Sequence, residues 1–581
     1  MSTKKLINAP SACMRECLYG FSRSFPSLSF HDGEALILNK IPNEARTVAI
    51  LSGGGSGHEP FPSGYVGEGM LTGSISGSVF TSPPKRQILR AIQKLAESNK
   101  EVFVIIPNYI GDRLNFGLAI EAAKDEGIQV DSVVIGEDIA LTTLGVTSDA
   151  KRRGMCGLIF AIKIAGFLAK EGQTMENIKG VMESLKENLA SFGLCVEPCS
   201  VPGSGLLFSL EPDEMELGVG VHGEGGVKRI KLKTANETVR ILVDPLIDHL
   251  NVGGNDEVVA IVNNLGSLSQ LEQWIIAGEL QRRLAKRQVI LHRLYVGPLF
   301  TSLNMAGIQI CLLKLTDEQN KQLFLRALDD PTAAPAWPGT VLSRPTAIPS
   351  LNKKRTSPQS ISLSGGVLKD NEADIVKKCL VEGARRVLEK EELLNHLDSG
   401  CGDGDCGTTL SKLAREIIKG IKEKTLRFSQ PSQMMYSLGE IAEETMGGTS
   451  GAIYGLFSMG ASAEFSKHPT ITPVTWGQAW LAGINLIKKY SAARIGDRTL
   501  LDALEPACET YMKVIEKIGP AKAFSAAFAS GIEGCQKTQY MKSATGRAGS
   551  VGSSLSKEVD AGAFGVTLWL EAINNELNPS S

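Results

Sequence analysis

Apolar residues over the first 330 positions follow two alternating spacings. Short runs rich in β-branched residues, Thr47-Val-Ala-Ile-Leu51, Val102-Phe-Val-Ile-Ile106 and Ser132-Val-Val-Ile135, are each followed within two residues by Gly or Asn, as buried parallel strands are. Between them, Ile88, Leu89, Ile92, Leu95 and Ala96 recur at helical spacing after Pro83-Pro84, and residues 114–123 repeat the pattern. Strand and helix in alternation predict an α/β sheet covered by helices. The alternation resumes with residues 258–262, 289–294 and 308–313, which predicts a second sheet-bearing subdomain. Beyond Asp370 only helical periods remain, as in Ile375, Val376, Cys379, Leu380, Val387 and Leu388, then over 476–487, 500–514 and 564–573. That half reads as an all-α bundle. Between the halves, six of the chain's 25 prolines fall within residues 331–365, beside Lys353-Lys-Arg355 and a Ser/Thr-rich run. This composition predicts an extended, solvated linker, the basic triplet being part of it rather than a localisation patch. The expected division is an α/β unit at 1–335, a linker at 336–369 and a helical unit at 370–581.

Length changes the picture little, since 581 residues already imply more than one core. Charge excludes more. Lys plus Arg number 61 against 63 for Asp plus Glu, so no basic field attracts a nucleic-acid backbone. The greasiest segment, residues 156–168, is too short to span a bilayer and carries Lys163. The first residues lack the apolar centre of a secretory leader and the last ones a lipidation or retention signal, so a cytosolic address is expected. Eleven cysteines without a CxxC pair, and seven histidines without HExxH, suit reduced thiols and no zinc.

Four constellations carry candidate chemistry. Ser52-Gly-Gly-Gly-Ser-Gly-His-Glu-Pro60 follows a strand, where α/β sheets bind ligands and where glycines admit a ligand to the backbone. It lacks the Gly-Lys-Ser/Thr of a nucleotide-phosphate loop; its bland alternative is a plain turn. Asn108-Tyr-Ile-Gly-Asp112 follows the next strand, and Asp112 is either a base for a substrate hydroxyl or a helix N-cap. Gly218-Val-Gly-Val-His-Gly223 satisfies GxGxxG, but no helix follows it. With period two, Met215, Leu217, Val219 and Val221 share one face, while His222 stands with Glu216, Gly218 and Gly220 on a nearly bare other face. There a neutral imidazole can act as base or nucleophile, against the alternative of a structural histidine. In the helical half, Leu394-Asn-His-Leu-Asp398 is followed by Gly402-Asp-Gly-Asp-Cys-Gly-Thr-Thr409. Asp398, Asp403 and Asp405, without His or thiolate partners, suit a hard divalent cation, most naturally Mg²⁺ with a nucleotide phosphate; chance surface acids are the alternative. An EF-hand is excluded, because Gly407 and Ala414 stand at its fifth and twelfth positions. Gly447-Gly-Thr-Ser-Gly451 and Gly496-Asp-Arg-Thr499 fall at expected helix starts, which hold phosphate.

With SGGGSGHEP, GDRLNFG, KRRGMCG, ELGVGVHGE, VNNLG, LNHLD, GDGDCGTT, MGGTSGAIYG and GDRTLLDAL in this order, the chain resembles the single-chain ATP-dependent dihydroxyacetone kinase family, to which triokinase/FMN cyclases belong. The resemblance implies a triose-holding α/β K domain and an eight-helix L domain that holds ATP. It implies that His222 forms a hemiaminal with the substrate carbonyl, that Gly55, Ser56, Gly57 and His58 line the triose site with His58 taking part in the chemistry, and that Asp112 is the base. It also implies that Asp398, Asp403 and Asp405 hold two Mg²⁺ ions. Cys406, Gly407, Thr408, Thr409, Thr449, Ser450, Ser491, Thr499, Leu500, Arg547, Asp560, Ala561 and Gly562 fall on nucleotide-contacting positions. Family members are typically homodimers in which one chain's K domain faces the other's L domain. Pro107 stands where the family commonly has Lys, Ser491 where it has Gly, Gly549-Ser550 where it has Ser-Tyr, and Ala561 where it has Pro. The expected activity is phosphoryl transfer from Mg·ATP to dihydroxyacetone and D-glyceraldehyde. Two rivals remain: FAD-AMP lyase chemistry in the helical half, usually with Mn²⁺, and a triose-binding adaptor without catalysis.

Overall fold

The computed structural model describes residues 4–40, 47–144, 152–339, 363–399, 403–541 and 558–579. The chain divides into two compact units, residues 1–353 and 354–581. Most of the expected linker, and with it Lys353-Lys-Arg355, lies outside the described residues.

The first unit contains strands β1 (Leu28–His31), β2 (Leu36–Asn39), β3 (Val48–Ser56), β4 (Gly73–Val79), β5 (Glu101–Pro107) and β6 (Val130–Ile135), in one sheet of order β1-β2-β4-β3-β5-β6. β4, β3, β5 and β6 run parallel, and β1 and β2 add an antiparallel edge. After it come β7 (Leu189–Glu197), the small hairpin β8 (Ser200–Val201) and β9 (Gly205–Leu206), β10 (Glu214–Leu217), β11 (Lys228–Lys231), β12 (Glu257–Asn264), β13 (Ile290–Gly297) and β14 (Ala306–Leu315). These build a second sheet of order β11-β10-β7-β14-β12-β13, antiparallel except for β12 with β13. Helices α1 (Cys13–Ser24), α2 (Lys85–Ala96), α3 (Ile110–Asp125), α4 (Leu158–Lys170), α5 (Met175–Glu187), α6 (Ala235–His249), α7 (Gln270–Lys286) and α8 (Glu318–Asp329) accompany the two sheets. α4, the greasiest segment of the chain, is buried over Leu158–Ala169, Lys163 included, and joins one core with Ile50 and Phe103 of the first sheet and Ile261 and Cys311 of the second. A helix apolar on all faces belongs in such a core.

Three local expectations shift. β3 does not end at Leu51 but runs on through the glycines to Ser56, because β4 and its following turn come too close for side chains: a Cβ on Gly53 would lie 2.2 Å from the Ile75 carbonyl oxygen, and one on Gly55 2.6 Å from the Thr81 nitrogen. α3 starts at Ile110, so Asp112 sits in its first turn and Tyr109, not Asp112, is the N-cap residue. β10 stops at Leu217, since Gly218 takes φ +70° and leaves the extended region.

The second unit is helical throughout its described residues. α9 (Asp370–Glu389), α11 (Cys406–Lys422), α12 (Pro431–Met446), α13 (Gly448–Phe465), α14 (Pro473–Tyr490), α15 (Leu501–Ile518), α16 (Pro520–Lys537) and α17 (Ala561–Leu577) are long, and the nine-residue α10 (Glu391–Ser399) lies between α9 and α11. Each long helix packs on the next, and α17 returns to α9, so eight helices close into a ring. Inside is an apolar cavity of about 520 Å³ lined by residues such as Leu380, Met435, Trp476, Trp480 and Trp569. In such an up-and-down ring the α9–α11, α12–α13, α14–α15 and α16–α17 junctions fall at one end. No helix among the described residues is long and apolar enough to cross a membrane.

Candidate active site

In the first unit the C-terminal ends of β3 and β5 meet the turn after β10. The Ser56 hydroxyl donates to the Gly77 carbonyl at 2.6 Å, and Gly57, at φ +98°, donates its N–H to the Glu59 carboxylate at 3.0 Å. His58, 2% exposed, is sandwiched between Phe80 and Phe300, with ring centroids at 5.2 and 5.3 Å. Its Nδ1 lies 2.9 Å from the Thr301 carbonyl, which only accepts, so Nδ1 carries the proton and Nε2 is left as an acceptor. That Nε2 is 3.3 Å from Nε2 of His222. The His222 ring stands edge-on to Tyr109, centroids 4.4 Å apart, and its backbone N–H donates to the Glu224 carboxylate at 2.9 Å.

Burial, then the neighbouring His222, pushes His58 down to about 3; burial, then the Arg153 charge, pushes His222 down to about 4. Both imidazoles are neutral at physiological pH. Asp112, 5% exposed, is pushed up to about 6 by burial, only partly offset by the Ser82 hydroxyl, and its Oδ1 has no hydrogen-bond partner. A Cβ on Gly54 would come 3.9 Å from that oxygen and 3.8 Å from the Pro107 ring, so the bare backbone of β3 lies beneath the carboxylate. Gly54, Gly55, Ser56, Gly57, His58, Asp112 and His222 thus belong to one neighbourhood. Its arrangement can grip a carbonyl by a neutral imidazole and accept a hydroxyl proton at a carboxylate.

Sequence reasoning missed Phe80, Tyr109, Phe300, Thr301, Arg153 and Glu224 around these groups. Thr301 acts through its backbone, 243 positions from His58, and no local pattern marks it. Glu224 and Arg153 had a faint signal, as charges within the motifs GVHGE and KRRG.

In the second unit, one carboxylate oxygen each of Asp398, Asp403 and Asp405 lies within 4.8 Å of the others. The Asp398 Oδ2 accepts the N–H of Asp405 at 3.0 Å and of Cys406 at 3.3 Å, tying the end of α10 to the start of α11. Three half-buried or exposed carboxylates that offer only oxygen fit Mg²⁺ and not a thiophilic metal. Cys406 is pushed up to about 12 by burial and the surrounding Asp398, Asp560 and Asp405, so it is an uncharged thiol. Gly407 has no room for a Cβ, which would meet the Glu391 carbonyl oxygen at 2.0 Å. Thr408 donates its N–H to Asn395 Oδ1 at 3.0 Å, and Thr409 donates its own to the Asp405 carbonyl at 2.9 Å. Thr449 and Ser450 form the first turn of α13, after Gly447 and Gly448 at positive φ. The Ser491 hydroxyl accepts from Ala493 N–H at 3.1 Å beyond α14, and Thr499 donates its N–H to Asp502 at 2.7 Å before α15. Asp560 caps α17 through Ala563 N–H at 2.8 Å and is pushed up to about 6, by burial first. Ala561 is buried, and a Cβ on Gly562 would lie 3.5 Å from Leu500 Cβ. All these residues stand at junctions at the same end of the ring. Arg547 and Gly549-Ser550 lie outside the described residues.

The Dak1 domain matches residues 19–336 and the DAK2 domain residues 400–575. The chain belongs to the dihydroxyacetone kinase family. Within that family it is 39% identical to the triokinase/FMN cyclase of Homo sapiens, over 99% of each chain. It is also similar to the crystal structure of the dihydroxyacetone kinase of C. freundii in native form, at TM-score 0.66 and 29% identity, over 99% of this chain and 100% of that one. The C. freundii enzyme in complex with AMP-PNP and Mg²⁺ gives TM-score 0.65 at 28% identity, over the same shares.

Proposed function

We propose that the protein transfers the γ-phosphoryl group of ATP to a hydroxyl of dihydroxyacetone and of D-glyceraldehyde, with the triose held in the first unit and Mg·ATP in the second. The observation that carries this reading is the pair of buried, neutral imidazoles whose Nε2 atoms lie 3.3 Å apart, together with a buried carboxylate, Asp112, whose Oδ1 has no hydrogen-bond partner. Protonated histidines have no lone pair for a carbonyl carbon; these two keep theirs.

With His58 an acceptor, Nε2 of His222 is the donor in the free site. A carbonyl entering there takes that contact, and the His222 proton moves to Nδ1. The Nε2 lone pair attacks the carbonyl carbon, the carbonyl oxygen takes up a proton and the Nδ1 proton leaves, so the hemiaminal is neutral. Its new hydroxyl donates to His58 Nε2. Asp112 accepts the proton of the hydroxyl that attacks phosphorus, and its raised affinity for protons suits that work near neutral pH. Asp398, Asp403 and Asp405 would hold Mg²⁺, which when bound neutralises charge on the transferring phosphates. Carrying nucleotide contacts onto the helix-junction residues of the second unit, with residues 1–335 as the triose domain and 370–581 as the nucleotide domain, belongs to the same proposal. So do the homodimer and a cytosolic address; all ten described cysteines are free, which supports a reducing compartment.

A second reading has one observation in its favour: the human relative carries the FMN cyclase name over the full length of the match. FAD-AMP lyase chemistry, with Mn²⁺ at the acid cluster, would use the second unit without His222. Purified wild type, His222→Ala and Asp403→Asn proteins, assayed for triose phosphorylation and for cyclic FMN release, test both. Triose turnover is expected to fall at least about 100-fold in each variant, while any FAD turnover survives His222→Ala and is lost in Asp403→Asn. Undiminished triose phosphorylation in both variants would sink the assignment.

A further inference from the structure

The arginine behind the 218–224 turn has no part in the phosphoryl transfer proposed above. Arg153 Nε donates to Asp138 Oδ2 at 2.8 Å, Nη1 to Glu224 Oε1 at 3.2 Å and Nη2 to the Gly218 carbonyl at 2.7 Å. The other oxygen of Glu224 receives the His222 N–H. One guanidinium therefore grips the first residue of the turn directly and its last residue through a carboxylate, with His222 between the two attachments. Gly220 makes this possible: a Cβ there would lie 1.5 Å from Glu224 Oε1 and 2.7 Å from Arg153 Nη1, so only glycine lets both side chains fold beneath the turn. Asp138, 3% exposed, anchors the far side of the guanidinium and is itself held by Ala140 N–H at 3.1 Å.

We propose that Arg153 is a positioning residue for His222, clamping the 218–224 turn and setting a fixed positive charge behind the imidazole, where it opposes a second positive charge on that ring. This rests on the carbonyl-gripping role given to His222. The groups that face His222 are His58 just beyond β3, Tyr109 from the start of α3, Glu224 from its own turn, and Arg153 with Asp138 behind it. Among these, Arg153 is the charge that acts with burial to keep His222 neutral. Glu224 spends its two oxygens on Arg153 and on the turn's backbone and so fixes the ring's position, while its negative charge acts in the opposite sense on the neighbouring His58.

Activity alone cannot read this out, because Asp112 titrates near 6 and masks an imidazole that titrates near 4. The test is an NMR titration of the full chain labelled with ¹³C-histidine, with His222→Ala used to identify the resonance. Wild-type His222 is expected to be about nine-tenths neutral at pH 5; Arg153→Gln, with the midpoint raised by about one pH unit, about half neutral. Arg153→Lys keeps the charge without the fork, so its midpoint is expected to stay within about half a unit of wild type. In both variants the KM for dihydroxyacetone should rise about tenfold or more, with the KM for ATP unchanged. A His222 midpoint in Arg153→Gln within about 0.3 unit of wild type, or an unchanged triose KM in a folded variant, overturns the proposal. If wild-type protein phosphorylated no triose, the kinase reading would fail, while the titration would still judge what Arg153 does to His222.

Discussion

Replacing Asp112 by Asn separates what the carboxylate does for catalysis from what it costs the fold. Burial raises its proton affinity from the ordinary 3.8 to about 6, so the folded state binds the proton more tightly than the unfolded chain. Stability is therefore lost as pH rises from the unfolded value through the folded one, and the whole deficit is present above about pH 6. At about 1.4 kcal/mol per pH unit the deficit at pH 8 is about 3 kcal/mol, against about 1 kcal/mol at pH 4.5. Asn does not titrate. Its own cost in the buried site, an amide in place of a carboxyl, is the same at both pH values. The stability of Asp112→Asn relative to wild type should thus climb by about 2 kcal/mol between pH 4.5 and pH 8, whatever its absolute sign. Hydrogen exchange by mass spectrometry, read on peptides spanning β5 and α3 in the full chain, isolates the first unit, and comparing the proteins at each pH cancels the intrinsic pH dependence. The expected outcome is about 30-fold more relative protection at the higher pH, together with loss of triose phosphorylation. A relative stability that stays flat with pH would show that Asp112 is ordinarily acidic, and would remove the physical basis for its role as base.

The same carboxylate sets the pH–rate profile: kcat/KM for the triose should fall tenfold per unit below a midpoint near 6, as Asp112 takes up its proton, and a limb centred near 4 instead would contradict the assignment. Gly220→Ala should drive the Glu224 carboxylate from beneath the turn, release the His222 N–H and cost kcat/KM for the triose about 1–3 kcal/mol, about 5- to 150-fold, without changing nucleotide affinity measured by calorimetry. Retention of full activity would mean that the turn needs neither contact.

Much of the site was legible because its signals are local. The glycine-rich run after Leu51 was legible as a ligand-facing feature, although it proved to continue the strand rather than form a loop, and three aspartates within eight residues before a helix reveal themselves by spacing alone. The parallel strands β3 and β5 were equally plain, as runs buried almost throughout, and β6 as a shorter run buried at Val130, Val133 and Ile135. The period-two reading around His222 was right about burial for a partly wrong reason. Met215, Leu217, Val219 and Val221 are all buried, yet the strand stops at Leu217, and Val219 and Val221 reach the core from a turn that Gly218 opens. What was not legible is what tertiary folding brings from afar. The Thr301 carbonyl that fixes the tautomer of His58, the Phe300 ring that stacks on it and the Arg153 fork carry no periodicity of their own. Their roles depend on the second sheet closing over the first within one unit, and residue spacing does not encode that closure.

The imidazoles and Asp112 of the first unit and the acid cluster of the second sit in opposite solvation, and that opposition favours keeping them on separate cores. In the first unit His58, His222 and Asp112 are all moved toward their uncharged forms, with burial the leading cause each time. A pocket of that kind favours an uncharged triose, keeps a nucleophilic lone pair available, and disfavours a phosphorylated product, which would have to bring at least one negative charge to a site whose carboxylate ionises only reluctantly. In the second unit Asp398, Asp403 and Asp405 stay half-buried or exposed, where three negative charges within 4.8 Å are tolerable because water screens them and a cation can satisfy them. Placing His58, His222 and Asp112 among those acids would hydrate them and, through the negative charge, draw protons onto the imidazoles; placing the acids in that buried pocket would desolvate three carboxylates at a cost no single cation repays. A fold that must keep one site dry and the other wet is served by two cores rather than one: the burial that makes His222 neutral does not reach the three clustered acids, although it does reach Asp560 and Cys406 near them.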